Sequence, residues 1–142
     1  MTPESLFLLA TAAVLPGWLL LIVAPRWKWT ARLIGPVILP VLLGSLYVYI
    51  LVVHMPGAPG GFGSLREVRL FFDRPHLLLG GWVHYLAFDL FVGSWEVRDA
   101  ARHGMRHAWV VPCLVLTLLF GPAGLLAYLG LRAALLRRVA ID

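Results

Sequence analysis

The sequence predicts an all-α fold: a polytopic membrane four-helix bundle with proline-kinked helices and a short interfacial helix between spans two and three. Three observations predict it. The 142 residues are 61% hydrophobic and 13% charged, with a mean hydropathy of +0.86, whereas a soluble chain carries about 25% charged residues. The apolar residues gather in four runs near Ser5–Ala24, Leu33–Val53, Leu77–Trp95 and Ala108–Leu131. The basic residues lie between those runs. Together these exclude a disordered chain, a disulfide scaffold and a water-soluble enzyme. The length suits a single membrane domain over residues 1–142.

Each run matches a hydrocarbon core of about 30 Å, which takes roughly 20 helical residues at about 1.5 Å each. Backbone groups find no water in lipid, and barrel strands are shorter and alternate in polarity, so the runs read as helices. The first has Glu4 where a signal peptide has positive charge, and its apolar core is too long for one. No transit peptide or long soluble tail is expected either. Arg26, Lys28 and Arg32 follow it, with Trp27 and Trp29 between them at headgroup level. The second run holds Pro36 and Pro40, and a Gly/Pro-rich turn follows it (MPGAPGGFG). Residues 64–73 then read as an interfacial helix. Ser64 is its N-cap and Glu67 completes a capping box; Leu65, Val68, Phe71 and Phe72 face the interface, with Arg66, Arg69 and Asp73 outward. In the fourth run Pro122, inside Phe120-Gly-Pro-Ala-Gly124, leaves the Leu118 carbonyl without its donor.

The net charge is +5, from eleven arginines, one lysine and seven acids. Placed between apolar runs, this charge points to membrane lipids as partners and to no nucleic acid. Four full crossings give a tie in the positive-inside count. Arg26, Lys28, Arg32, Arg98, Arg102 and Arg106 stand against Arg66, Arg69, Arg74, Arg132, Arg137 and Arg138. The basic flank of the first span then places both termini outside the cytoplasm.

Runs one, two and four hold no charged residue in their interiors, whereas the third holds His84, Asp89 and, at its end, Glu96. Asp89 stands about 18 Å beyond Leu77, close to mid-membrane. A charge there costs about 2.5 kcal/mol or more, so its carboxyl is neutral, paired or in a polar cavity. At about 100° per residue, Trp82, Tyr85, Asp89, Gly93 and Glu96 share one stripe, with His84 about 140° from Asp89. Two carboxyls beside aromatic walls suit acid/base work on a greasy substrate. The plainer reading makes Asp89 a helix fastener bonded to Ser45, Tyr47, Tyr49, Thr117 or a proline-freed carbonyl. For Glu96 it is a solvated helix end beside Arg98, Asp99 and Arg102. HxxxH, HExxH and CxxC are missing, which leaves a metal set of His84, Asp89 and His54 as a weak option. The one cysteine, Cys113, has no internal partner for a disulfide.

The stretch His84-Tyr-Leu-Ala-Phe-Asp89-Leu-Phe-Val-Gly93-Ser-Trp95, followed by Asp99, resembles the neoxanthin-synthase-like membrane proteins of the abscisic-acid-deficient type, found in plastids and bacteria. So do Leu116-Thr-Leu-Leu-Phe-Gly-Pro-Ala-Gly-Leu-Leu-Ala-Tyr128 and the opening pattern of a proline in span one followed by Ala24-Pro-Arg-Trp27. The likeness runs in order along nearly the whole chain, apart from the middle loop. It implies an integral, multi-pass protein, with a bacterial inner membrane as its expected home. It also implies isomerisation of a xanthophyll or related isoprenoid: an epoxide opens, a proton leaves the polyene and an allene forms, with no cofactor needed by formula. On that basis Asp89 is the acid and His84 or Glu96 its partner. Trp82, Tyr85, Phe88, Trp95 and Phe120 line the polyene site. Two other readings stand beside it. One is a non-catalytic protein that binds a carotenoid or another lipophilic molecule, or assists a pigment-pathway protein or a second copy of itself. The other is a redox module holding haem or a metal.

Overall fold

The computed structural model describes residues 1–27 and 29–136; at Ala31, Arg32, Leu33 and Gly35 it describes the backbone only. Lys28, Arg137 and Arg138, counted among the basic flanks above, lie outside the described residues.

Six helices form, with no strand among the described residues. Helix α1 (Pro3–Val23) starts on a Thr2 N-cap whose hydroxyl accepts from the Ser5 N–H at 3.2 Å, with Pro3 and Glu4 in the first turn. Ala10, Val14, Trp18 and Leu21 recur at helical spacing and are buried. Leu8, Leu15, Leu19 and Val23 on its other faces are exposed.

The second run does not begin as an α-helix. Pro36 and Pro40 remove two N–H donors one turn apart, and Thr30–Ile38 adopts a π-helical path. There the Ile34 N–H donates to the Trp29 carbonyl at 2.8 Å, five residues back. Helix α2 (Leu39–His54) continues it, with Leu43 and Ile50 turned inward.

Helix α3 (Leu65–Phe72) forms where the sequence predicts a short amphipathic helix. Its capping box is altered: Ser64 accepts from the Glu67 N–H, but the Glu67 carboxylate takes its bond from the Gly63 N–H at 3.1 Å. Phe71 is buried, whereas Leu65 is exposed rather than packed.

Helix α4 (Pro75–Arg102) is the centre of the molecule, and every other helix packs on it. Gly80 admits Ile50 of α2. A Cβ at Gly93 would come within 2.7 Å of the Trp18 ring of α1. The small residues on α4 thus set how closely its neighbours approach.

The fourth run, Ala108–Leu131, is two helices: α5 (His107–Phe120) and α6 (Pro122–Leu136). They are 14 and 15 residues long. Gly121, at φ +43°, separates them in a conformation open to glycine. Contacts with α4 give their course. Thr117 meets Glu96 and Gly121 meets Asp89; then Tyr128 and Arg132 meet Asp99, and Arg132 reaches His103. The chain therefore runs down α4 to Asp89, turns and climbs back. This is a helical hairpin, and not a kinked fourth span of a four-helix bundle. Three helices are long and apolar enough to cross a membrane: Pro3–Val23, Pro36–His54 and Pro75–Arg102.

A Cβ on Gly124 would overlap the Thr117 backbone, while one on Gly130 meets nothing within 4 Å. Gly124→Ala should therefore cost about 3 kcal/mol by forcing the hairpin apart, and Gly130→Ala should be neutral or gain up to about 1 kcal/mol. Thermal unfolding in detergent separates the two; equal midpoints would contradict the hairpin packing.

Candidate functional site

The polar side of α4 faces the hairpin, and its three carboxyls meet three different surroundings. Asp99, nearest the C-terminal end, is paired. It accepts from the Tyr128 hydroxyl at 2.6 Å and from Arg132 Nε at 2.8 Å. Arg132 is 1% exposed, and the Arg132 Nη2 lies 3.4 Å from His103 Nε2. His103 Nδ1 donates to the Asp99 carbonyl at 2.8 Å. An acid and a base that the sequence reading left to solvent at helix ends are instead the internal clasp between α6 and α4.

Glu96, one turn deeper, is 0% exposed. The Thr117 hydroxyl donates to its Oε1 at 2.9 Å and also lies 3.0 Å from the Cys113 carbonyl. Among the described residues Glu96 Oε2 has no hydrogen-bond partner. The solvated-end reading of Glu96 thus fails, because its side chain is fully enclosed against the hairpin.

Asp89 stands at the tip of the hairpin. A Cβ on Gly121 would lie 2.8 Å from its Oδ1 and 3.2 Å from Oδ2, so the carboxyl rests on the bare glycine backbone. Asp89 is 9% exposed, and among the described residues its Oδ2 has no hydrogen-bond partner. Tyr85, one turn earlier, lies beside the same carboxyl. Its hydroxyl donates to the Leu118 carbonyl at 3.4 Å, the acceptor that Pro122 leaves without a donor. The two ends of the break are thus engaged by neighbouring residues of α4. The carbonyl end of α5 takes Tyr85, and the positive N-terminal end of α6 begins against Asp89. None of the side chains considered as bland partners of Asp89 binds it; Thr117 serves Glu96 and the freed carbonyl serves Tyr85.

The remaining site residues separate into two groups. Trp82 and Tyr85 stack at 5.4 Å on the α1 side, and the Trp82 indole N–H donates to Thr11 at 3.0 Å. Both line an apolar groove of about 770 Å³ with Phe7, Leu8, Phe72 and Leu78. Its wall ends at Tyr85, with Asp89 behind. Phe88 and Phe120 are exposed, and Trp95 packs edge-on against Tyr128 at 5.4 Å. His84 points away from Asp89, being exposed and stacked on Phe88 at 4.5 Å. His54 stacks on His76 at 3.9 Å. The structure therefore does not assemble His84, Asp89 and His54, and no three His, Cys, Asp or Glu residues converge among the described residues.

The family model described as ABA DEFICIENT 4-like matches residues 5–128, most of the chain. The chain belongs to the ABA DEFICIENT 4-like family. Across 140 residues it is 28% identical to the protein named ABA DEFICIENT 4, chloroplastic, from Arabidopsis thaliana. The match covers 92% of this chain and 61% of that relative, so the chain spans under two thirds of the relative's length. No solved structure matches. The matched region takes in α4 and the hairpin tip, so Asp89, Gly121 and Pro122 all lie inside it. The apolar helices and the family make this a membrane protein. The chloroplast in the relative's name gives no support to the expected bacterial inner membrane.

The clasp carries a distinctive thermodynamic signature. Asp99→Leu alone should destabilise by about 3–5 kcal/mol, because it strands a buried guanidinium. Asp99→Leu with Arg132→Leu should cost less than either single change. A double-mutant cycle of unfolding free energies measures this, and additive costs would mean that the pair is not coupled.

Proposed function

We propose that this protein is a membrane-embedded, carotenoid-modifying enzyme that isomerises a xanthophyll or related isoprenoid, with Asp89 as the proton-transferring group. Family membership supports a carotenoid-related function. The observation that carries the chemical part is a buried carboxyl with an unpartnered oxygen, set at a helix break where the wall of an apolar groove ends. The groove accepts polyene carbon against Trp82, Phe7 and Phe72. Its inner end presents the Tyr85 hydroxyl and, behind it, the acid.

The reaction implied by the resemblance conserves the formula. A proton goes to the epoxide oxygen, the C–O bond breaks and a hydroxyl forms. A C–H bond on the adjoining polyene carbon then breaks, and its electron pair becomes part of the allene. The site of protonation and the site of deprotonation are neighbours, so one carboxyl suffices: Asp89 gives its proton and the resulting carboxylate takes one back. Tyr85 holds the break in place and bridges groove and acid. Glu96 lies about 10 Å further along α4, beyond the Trp18–Gly93 contact, and is assigned no part in the proton transfer.

We also propose three crossings, by α1, α2 and α4, with α5–α6 entering and leaving at one face. The turn then sits at mid-depth but is buried against α4, which is the condition for breaking a helix inside a bilayer. This removes the tie in the charge count. Among the described residues Arg26, Arg32, Arg98, Arg102, Arg106 and Arg132 fall at one end, and Arg66, Arg69 and Arg74 at the other. The end rich in arginine faces the cytoplasmic or equivalent side, and the start of α1 faces away from it.

A second reading, binding without catalysis, is favoured by the position of Asp89 behind the groove wall. Asp89→Asn separates the two. Expressed in cells that make epoxy-carotenoids, the variant should lose at least about 99% of product formation if Asp89 moves the proton, while the purified variant keeps bound pigment. An unchanged product profile would leave a binding protein. Trp82→Ala should lower pigment occupancy in both cases.

Orientation is checked by labelling. In a Cys113→Ser background, Ser64→Cys and Arg106→Cys should react with membrane-impermeant thiol reagents from opposite sides. Reaction from one side would refute three crossings.

A further inference from the structure

At the arginine-rich end a cleft of about 760 Å³ opens between the α1–α2 connection and the last turns of α4. Arg26, Arg98, Arg102 and His107 line it, among apolar neighbours that include Trp27 and Met105. Among the described residues no carboxylate lines it. Asp99, the acid at this level of α4, is turned to the opposite side and held by Tyr128 and Arg132. Among the described residues Arg26, Arg98 and Arg102 make no ion pair. Arg98 and Arg102 stand one helical turn apart, where like charges repel. Three guanidiniums thus surround a partly apolar cleft from which the neighbouring acid is turned away. Its rim is fixed, because the His107 Nε2 donates to the Ile22 carbonyl at 2.9 Å and ties the start of α5 to the end of α1.

We propose that this cleft is a phosphate-binding site separate from the groove at Tyr85. The guanidiniums supply planar, multi-donor recognition of phosphate oxygens, and Trp27, Val97, Ala101 and Met105 supply a wall for an attached hydrocarbon. One chemistry, a phosphate group, fits two sources: the headgroup of an anionic membrane lipid or a phosphate compound from the aqueous side. The position of the cleft at the arginine-rich end, where anionic headgroups concentrate, places both within reach.

The test uses the full chain in nanodiscs of phosphatidylcholine, to which either phosphatidylglycerol or inorganic pyrophosphate is added. Binding is read as the rise in unfolding midpoint with probe concentration. Arg98→Gln with Arg102→Gln should weaken the apparent affinity roughly twenty-fivefold, about fivefold per arginine. Arg66→Gln with Arg69→Gln, on α3 at the opposite end, should leave it unchanged. A shift with phosphatidylglycerol alone assigns the site to a lipid headgroup, and a shift with pyrophosphate to an aqueous phosphate; both support it when the α4 pair controls them. No shift with either probe, or equal losses in the two double variants, overturns it. The Arg98/Arg102 variant relieves a repulsion and should fold. Its midpoint without added probe confirms this.

Discussion

The break between α5 and α6 is the constraint around which the rest is arranged. A helix that stops inside an apolar layer exposes carbonyls at one end and N–H groups at the other, and each costs several kcal/mol if left alone. Pro122 and Gly121 create this fault, and α4 repairs it with two residues one turn apart: Tyr85 caps a carbonyl and Asp89 meets the opposite pole. The requirement runs both ways. Without the break, Asp89 would face a continuous helix surface offering no free polar group. Without Tyr85, the Leu118 carbonyl would lose the donor that α4 supplies. The clasp at Asp99 and the close approach of Gly124 to Thr117 hold the returning helix where this exchange works.

Three carboxyls along about 15 Å of one helix illustrate how the same group is handled at different depths. Asp99 is met by a guanidinium and a phenol. Glu96 has a single hydroxyl partner and full enclosure. Asp89 has a backbone without side chain, a neighbouring phenol and a vacant oxygen. Only the last combines an unfinished hydrogen-bond set with nearness to a groove, so chemistry is assigned there. Asp99 is already held by an arginine, and Glu96 is fully enclosed against Thr117.

Much of this was legible in the sequence, and the gaps have physical causes. Apolar runs and their lengths gave the helices, because burial in lipid selects composition directly. Helical periodicity put Tyr85, Asp89 and Glu96 on one stripe, and proline chemistry named Leu118 as the carbonyl left over. Periodicity stops where the partner is another segment. It placed Asp99 and Arg132 at solvated ends because their contact spans 33 residues and needs the chain to reverse. The reversal itself was hidden: Phe-Gly-Pro-Ala-Gly reads equally as a kink or as a turn. The signal that favours a turn is Gly124, three residues beyond Gly121. A kinked helix has no need for a second bare backbone position there, whereas two helices pressed together at a tip do. His84 was grouped with Asp89 by depth, although its angular offset already pointed to a different neighbour.

The reversal also changes what the arginines mean. With four crossings the basic residues balance and carry no information, which is unusual for a chain with a net charge of +5. With three crossings and a returning hairpin they concentrate at one end, in agreement with the general asymmetry of membrane proteins. That agreement is independent of every contact used to trace the hairpin, since charge placement took no part in following α5 and α6 along α4. It also explains why Asp99 is turned inward. At an end crowded with guanidiniums an exposed acid would be drawn into surface pairs of little worth. Buried with Arg132 it fastens the hairpin instead.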